Sequence, residues 1–322
     1  MSQDYIYAVA RVRAREVSLL TKNDMERLMA TPSEEECLRI LRDKGWGRGD
    51  SSLTAGEILA AEEAKTWEFL GELTQDAAPF GPLQVPTDGN NLKAAIKCAA
   101  LGLEPRDVFL PGGRWDAQEL FSMAKERDFS SLSPILSQGA EKALSALLQT
   151  SDGQLCDAIV DRACLEEILH LGKESGLAVL ENYGQWITAT ADIQTAYRCC
   201  KAGKNREFLK LALAPCDGLD IGELIDAALQ GGEELLNYLD ATPYREGAEK
   251  LRVSASAFEK WRDDRAIELI KGEKAEYESA GPLFAYAVAR RREIDTARII
   301  LSGKRNGLAE EKLRERLRET YV

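Results

Sequence analysis

At 322 residues, 44% of them hydrophobic and 30% charged, the chain has the composition of a soluble globular protein long enough for two or three compact units. Acidic residues outnumber basic ones by 54 to 42, and the resulting net charge of −12 disfavours binding to nucleic-acid backbones or anionic lipid headgroups. A membrane span needs ~20 uncharged apolar residues, and every apolar run in the chain is shorter. The sequence therefore predicts no membrane-spanning segment.

The first twenty residues do not have the pattern of a signal peptide. Asp4 precedes any apolar stretch, and arginines lie inside the stretch that follows it. We therefore expect the mature chain to begin near Met1 and to stay in the cytoplasm.

Helical periodicity dominates the chain from there on. Apolar residues recur three and four positions apart in segments such as 34–41, 91–101, 118–125 and 310–317, whereas strand-like alternation is hard to find. Short breaks rich in glycine separate these segments. The longest break, from Asp76 to Asn91, contains Pro79, Pro82 and Pro86, and we interpret it as a linker or crossover.

One segment occurs three times. Asn91–Gly102 aligns without gaps on Asp192–Gly203 and on Thr296–Gly307, at spacings close to one hundred residues. In each copy the first residue is predicted to cap a helix, and the final glycine to end it in a left-handed conformation. Each copy also carries an apolar stripe: Leu92, Ala95, Ile96 and Ala99; Ile193, Ala196, Tyr197 and Cys200; Ala297, Ile300 and Leu301.

Other signals repeat as well. Capping boxes are predicted at Asp116-x-x-Glu119, at Asp220-x-x-Glu223 and at Asn23-x-x-Glu26. The pentapeptide Tyr7-Ala-Val-Ala-Arg11 recurs unchanged at residues 286–290, which indicates related helices near the two chain ends.

We therefore predict an all-α fold of three pseudo-repeated helical bundles, the last completed by sharing segments between the termini. The predicted units are residues 1–85, 86–187 and 188–322, the third with C-terminal closing helices. Three similar units in a row suggest approximate threefold symmetry, as a ring or funnel, with an open superhelix as the alternative.

At these repeats the chain resembles the C subunit of V/A-type ATP synthases, the prokaryotic relative of the d subunit of eukaryotic V-ATPases. The strongest resemblance lies in Pro282–Val322, above all in the stretch from Ala297 to Leu317. Further matching segments are Asn91-Leu-Lys with Leu110-Pro-Gly-Gly, and Tyr7–Arg15 with Leu38–Gly47. The resemblance thus covers essentially the full chain through the order and spacing of these segments.

The resemblance implies a funnel of three helical domains that sits on the membrane proteolipid ring, one copy per complex, and receives the shaft formed by the D and F subunits. It further implies a non-catalytic role, without cofactor or metal, in coupling ATP turnover on other subunits to proton or sodium transport. The expected location is the cytoplasmic face of the cell membrane, with membrane contact only through the ring.

Four basic residues are candidate partner contacts. Lys93 and Arg298 occupy equivalent repeat positions, as do Lys97 and Arg198, whereas Gln194 breaks the first set in the second copy. These cations form either solvated helix faces with local ion pairs or a cavity wall that meets an acidic partner. The same two interpretations apply to Arg290-Arg-Arg292.

Catalytic interpretations of the remaining motifs are weaker. The pairs Gly172-Lys173, Gly203-Lys204 and Gly303-Lys304 lack the other P-loop residues and are interpreted as helix-end glycines. His170 is interpreted as an ordinary helix-face histidine. Seven cysteines without a C-x-x-C pair predict reduced, mostly buried thiols, with Cys199-Cys200 in core packing and not a redox pair.

Two rival functions remain. A free-standing helical scaffold or regulatory protein would use the same repeats without any tie to a rotary motor. A helical enzyme of the isoprenoid or ferritin-like kind is disfavoured, since the chain has no Asp-Asp-x-x-Asp cluster.

Overall fold

A computed structural model describes residues 5–322; Met1–Asp4, including the acidic residue that argues against a signal peptide, lie outside the described part. All regular structure within 5–322 is helical, with no strand, which confirms the all-α prediction. No helix in this part combines the length and apolar character that a membrane span requires. The α-helices are α1 Ile6–Glu16, α2 Lys22–Ala30, α3 Glu34–Asp43, α4 Ala55–Leu73, α5 Gly81–Leu101, α6 Ala117–Glu126, α7 Pro134–Thr150, α8 Gly153–Glu174, α9 Ala178–Lys201, α10 Arg206–Ala212, α11 Ile221–Gln230, α12 Gly232–Asp240, α13 Arg245–Val253, α14 Ala255–Lys271, α15 Gly281–Arg305 and α16 Glu310–Arg314.

The chain folds into two compact units. Unit 1 comprises Met1–Ala77 and Lys250–Val322, and unit 2 comprises Ala78–Glu249. Both ends of the sequence thus contribute to one unit, as the repeated pentapeptide suggests. The predicted division into three repeats, with boundaries at 85/86 and 187/188, stays a prediction.

Unit 1 is organised around α15, which packs against α1, α3, α4 and α14. Every residue from Gly281 to Arg290 is buried, as expected for a central helix that is apolar on all sides. The identical pentapeptides differ in environment: Tyr7 on α1 is 64% exposed, whereas Tyr286 on α15 is 2% exposed. A shared sequence therefore produces the same helix in two different burial states.

In unit 2 one apolar core is surrounded by α5, α6, α7 and α8, and α9 packs on α8. Small residues bring the helices close together. At Gly89 of α5 an added Cβ would lie 2.4 Å from Cys164 Sγ, and at Gly139 of α7 it would lie 2.3 Å from Ala163 Cβ. Both neighbours belong to α8, so this helix is the close-packed centre of the unit.

The three repeated segments end their helices in the same way. Gly102, Gly203 and Gly307 have φ values of +65°, +64° and +63°. The amide that follows each glycine donates to the carbonyl five residues back, at 2.9–3.0 Å, which is the Schellman arrangement that favours glycine. The prediction of left-handed helix ends at these positions is confirmed.

The first residues of the repeats lie inside long helices and do not cap them, contrary to the sequence prediction. Asn91 instead binds the backbone of Leu110, accepting from its amide at 2.8 Å and donating to its carbonyl at 2.9 Å. Asp192 accepts from the Ala214 amide at 3.2 Å. Equivalent residues in two repeats thus hold the segment that follows, whereas Thr296 donates to Arg292 within its own helix.

Two of the three predicted capping boxes are confirmed only as N-caps, because neither Glu119 nor Glu223 forms the reciprocal bond to the amide of its cap. Asp116 and Asp220 are N-caps whose carboxylates accept amides of the first turn. The prediction at Asn23 is wrong, because Thr21 caps α2 and forms a reciprocal capping box with Asp24.

The predicted linker from Asp76 to Asn91 is also wrong over most of its length. Only residues 76–80 precede the helix, and α5 runs continuously from Gly81 through Pro86 to Leu101. Pro82 lies in the first turn, where its missing amide costs little. Leu83, Val85 and Gly89 are buried, so tertiary packing outweighs the poor helix propensity of this stretch.

Candidate functional site

A groove between α5, α8, α9 and α10 is the candidate site in unit 2, and we call it the α8–α9 groove. Its volume is about 610 Å³. Buried or half-buried apolar residues line it, among them Leu165, Ile168 and Ile187. Charged side chains that reach solvent also line it: Asp157, Asp161, Arg198 and Lys204.

Two of the four predicted contact residues flank this groove as ion pairs between α5 and α8. Lys93 Nζ lies 2.7 Å from Asp161 Oδ1, and Lys97 Nζ lies 2.6 Å from Asp157 Oδ1. Both pairs remain partly exposed, and such pairs contribute only about 0–1 kcal/mol to stability. The pairs hold Asp157 and Asp161 in position, and these two aspartates form the acidic edge of the groove.

The other two predicted residues differ in location. Arg198 is exposed on α9 and lines the α8–α9 groove together with Gln194. Arg298 belongs to unit 1, where its guanidinium lies 2.6 Å from Asp295 Oδ1 on the same helix. Arg198 thus lines the groove itself, whereas Lys93 and Lys97 lie outside it and pair with two aspartates that line it.

Sequence reasoning missed a half-buried arginine that fixes the loop before α6. Arg114 Nε lies 2.8 Å from Asp88 Oδ2 on α5, and its Nη1 lies 3.1 Å from Glu167 Oε1 on α8. Glu167 also accepts from the Ser133 hydroxyl at 2.8 Å. The Leu110-Pro-Gly-Gly segment could have indicated this site, because Arg114 follows directly after its two glycines.

Two arginines of the triplet on α15 form ion pairs within unit 1. Arg290 is bound by Glu62 on α4 and by Glu293, and its guanidinium lies 5.0 Å from the Trp46 ring centroid. Burial alone would lower the pKa of Arg290, but the two carboxylates raise it. Arg292 lies 3.1 Å from the buried Asp263. These two arginines therefore serve internal packing.

The glycine–lysine pairs occupy different helical environments. Gly203 ends α9, as predicted, but Gly172 and Gly303 lie within α8 and α15, so the helix-end interpretation fails for them. At Gly172 a Cβ would lie 2.8 Å from the Leu180 carbonyl oxygen, and at Gly303 it would lie 2.1 Å from Leu313 Cδ2. Close packing explains both glycines.

One Glu-x-x-His sequence does occur, from Glu167 to His170, with the spacing seen in di-iron carboxylate proteins. Its glutamate is engaged by Arg114 and Ser133, while His170 is exposed on α8. Within the described residues no group of three or more potential ligands is placed to hold a metal ion.

The cysteines near the groove are poor nucleophiles. Burial raises the pKa of Cys164 to about 12 and also raises the pKa of Cys199, so both remain protonated thiols at neutral pH. Cys199 is buried and Cys200 half-buried, in line with core packing. The groove therefore offers shape, apolar contact and charge, which are the properties of a binding surface.

Comparisons with a family model and with individual proteins agree on one family. The sequence matches the family described as ATP synthase (C/AC39) subunit over residues 8–316. It is 26% identical to the C subunit of the A-type ATP synthase of Desulfurococcus sp. (strain SY), over 97% of this chain and 90% of that protein. It is 21% identical to the C subunit of the V-type sodium ATPase of Enterococcus hirae, over 96% of this chain and 97% of that protein.

Proposed function

Because the chain belongs to the ATP synthase (C/AC39) subunit family, we propose that it is the non-catalytic C subunit in the central stalk of a rotary V/A-type ATP synthase. In this role it couples the shaft of the D and F subunits to the proteolipid ring and thereby links ATP turnover to proton or sodium transport. The observation that carries the proposal is the family match over residues 8–316.

The proposed architecture is a funnel of three repeats, 1–85, 86–187 and 188–322, around a common hollow that receives the shaft. It is supported by the common Schellman geometry after Gly102, Gly203 and Gly307. The backbone contacts of Asn91 and Asp192 add support, because equivalent residues make them in two repeats.

We propose the α8–α9 groove as a contact for the shaft, with Arg198 on its wall and Lys93 and Lys97 behind its acidic edge. An apolar centre with a charged rim is the usual anatomy of a protein interface. Arg298 stays a proposed contact on unit 1. The chain itself lies on the cytoplasmic face of the membrane in this proposal and touches the bilayer only through the ring.

Reconstitution tests the coupling role. The complex assembled without this chain should hydrolyse ATP in its catalytic head but should neither bind the ring stably nor pump ions, and adding the chain should restore both. The proposal fails if pumping persists without the chain, or if the isolated chain hydrolyses ATP.

A charge reversal tests the groove. Arg198→Glu should weaken capture of the D–F shaft at least tenfold, measured by pull-down at fixed ionic strength. Lys142→Glu is the matched control, because Lys142 is exposed on α7 of the same unit, is not part of the groove, and undergoes the same change of charge. Equal binding by the two variants would remove the groove from the interface.

A further inference from the structure

A small cavity in unit 1 is walled by cations. It has a volume of about 170 Å³ and lies among α1, α3, α4 and α15. Four of its seven lining residues are basic: Arg15, Lys44, Lys65 and Arg290. The other three carry hydroxyl groups: Ser18, Thr66 and Tyr286. Among the described residues no carboxylate lines the cavity, although the chain as a whole carries a net charge of −12.

Three of the four cations have carboxylate partners outside the cavity wall. Lys44 Nζ lies 2.8 Å from Asp24 Oδ1, and Lys65 Nζ lies 3.1 Å from Glu62 Oε1. Arg290 is bound by Glu62 and Glu293. Three carboxylates thus compensate three cations, and the surplus positive charge belongs to the fourth.

Arg15 is that fourth cation. Its guanidinium lies 5.1 Å from the Phe69 ring centroid and contacts the Tyr286 hydroxyl. Within residues 5–322 no carboxylate lies within ion-pair distance of it. A half-buried guanidinium with unused donors in an acid-free cavity is the arrangement that proteins use for oxyanions, since guanidinium matches phosphate geometry.

The remaining donors are favourably placed. Lys44 uses one of its three ammonium protons on Asp24, so two are left. Ser18 and Thr66 already donate to backbone carbonyls, at 2.7 and 2.8 Å. Arg15 and Lys44 therefore supply the open donors, while Lys65 and Arg290 add positive potential.

The geometry points to a binding site for a phosphate-type oxyanion in this cavity, held chiefly by Arg15 and Lys44. Its volume matches five or six waters at about 30 Å³ each, which accommodates one tetrahedral anion and residual water. A whole nucleotide does not fit, because such ligands occupy pockets of about 300–1,000 Å³.

A neighbouring cavity helps to define the site. It measures about 300 Å³ and shares Arg15 and Lys65, but Glu68 and Glu72 also line it. Those carboxylates repel an anion, so the larger cavity does not extend the phosphate site. Arg11 lines only this second cavity, where its guanidinium lies 3.9 Å from Glu72.

Inorganic phosphate is the probe for the test, applied to the full chain with chloride added to hold ionic strength constant. We expect saturable binding by titration calorimetry and a rise in Tm with phosphate concentration. Sulfate should compete with phosphate. ATP and ADP should bind no more tightly than phosphate, because only one phosphate group can enter.

Arg15→Gln should weaken phosphate binding at least tenfold, and Arg15→Lys should restore part of it. Arg11→Gln, one turn earlier on the same helix, should change binding less than twofold. Circular dichroism checks that the variants are folded. The inference is overturned if the wild-type chain shows no saturable phosphate binding, if ATP or ADP binds more tightly than phosphate, or if the two glutamine variants bind phosphate equally.

Discussion

At the scale of single residues, equivalent positions in two repeats bind the backbone of the following segment with different side chains, an amide in one repeat and a carboxyl group in the other. Asn91 satisfies both the amide and the carbonyl of Leu110, whereas Asp192 at the equivalent position meets only the amide of Ala214. Burial raises the pKa of Asp192 to about 8, against the hydrogen bond from Ala214 and the charge of Arg162, which lower it. A buried carboxyl group of this kind makes stability depend on pH.

We predict that Asp192→Asn flattens this dependence. The folded chain keeps the proton up to about pH 8, but the unfolded chain releases it near pH ~3.9. The folded state therefore binds more protons between these values, and the free energy of unfolding falls as pH rises from about 4 to about 8. Urea unfolding of both proteins at pH 5 and pH 8 measures the effect. An equal loss in wild type and variant would contradict it.

The reciprocal change, Asn91→Asp, should be destabilising. It removes the donor to the Leu110 carbonyl and points a carboxylate at that oxygen, which costs about 1–3 kcal/mol for an unsatisfied buried group. The loss should grow with pH, because the ionised form is the repulsive one. Unchanged stability at pH 8 would mean that the loop rearranges around the new acid.

A third residue-scale prediction concerns the buried arginine of α15. Arg290→Met leaves the buried Glu62 and Glu293 without their main cation, and a broken buried pair of this kind costs about 3–5 kcal/mol. Arg305→Met is the control on the same helix, because Arg305 is exposed where it pairs with Glu34, and exposed ion pairs contribute little to stability. Denaturant unfolding of both variants gives the comparison. Similar losses for the two would show that the Arg290 network is not a stabilising unit.

At the scale of helices, close packing depends on glycine. Gly139→Ala ordinarily gains about 1 kcal/mol of helix propensity. Here the new Cβ would lie 2.3 Å from Ala163 Cβ, and overpacking costs about 1–3 kcal/mol, so we expect a net loss of stability. Gly232→Ala on α12 has nothing within 4 Å of the added atom and should be neutral or slightly stabilising. Adding Ala163→Gly to Gly139→Ala should recover part of the loss, and the absence of recovery would place the clash elsewhere.

The helix ends at the three repeat glycines were predictable from sequence, whereas the helical positions of Gly172 and Gly303 and the helix through Pro86 were not. The glycines at 102, 203 and 307 have a local reason for their conformation, so their spacing alone identified them. The stretch from 81 to 91 has no local reason to be helical, and it forms because α8 covers its buried face. The Thr21 cap was missed because its partner is Asp24, an acid shorter than the Glu or Gln of the usual box.

The candidate site was likewise only partly predictable from sequence. The repeat aligned Lys93 with Arg298 and Lys97 with Arg198. The acidic partners of the two lysines on α8, however, lie some sixty positions further along the chain. Such pairings depend on tertiary structure, and sequence periodicity carries no information about them. The cation-walled cavity could not be predicted for the same reason, because α1, α4, α15 and the segments that follow α1 and α3 each contribute only one or two of its residues.

At the scale of the whole molecule, the two units differ in continuity. Unit 2 is one uninterrupted stretch with its own apolar core, whereas the unit 1 core combines residues such as Met25 and Ile58 with Ile294 and Leu301. The N-terminal part of unit 1 therefore lacks part of its packing surface until the C-terminal part is present.

We predict that a fragment of residues 78–249 folds alone and unfolds cooperatively. A fragment of residues 1–77 should show little helical signal by circular dichroism and should gain it when mixed with residues 250–322. Stable, cooperative folding of 1–77 by itself would contradict the shared-core description.

This arrangement has a consequence for the order in which the protein is made. The apolar faces of α2 and α4 leave the ribosome first, but α15, which covers them, is among the last segments translated. At about 5–20 residues per second, synthesis of residues 78–322 takes roughly 10–50 s. During that interval the nascent N-terminal helices expose apolar surface, and we expect chaperones to shield them until translation ends.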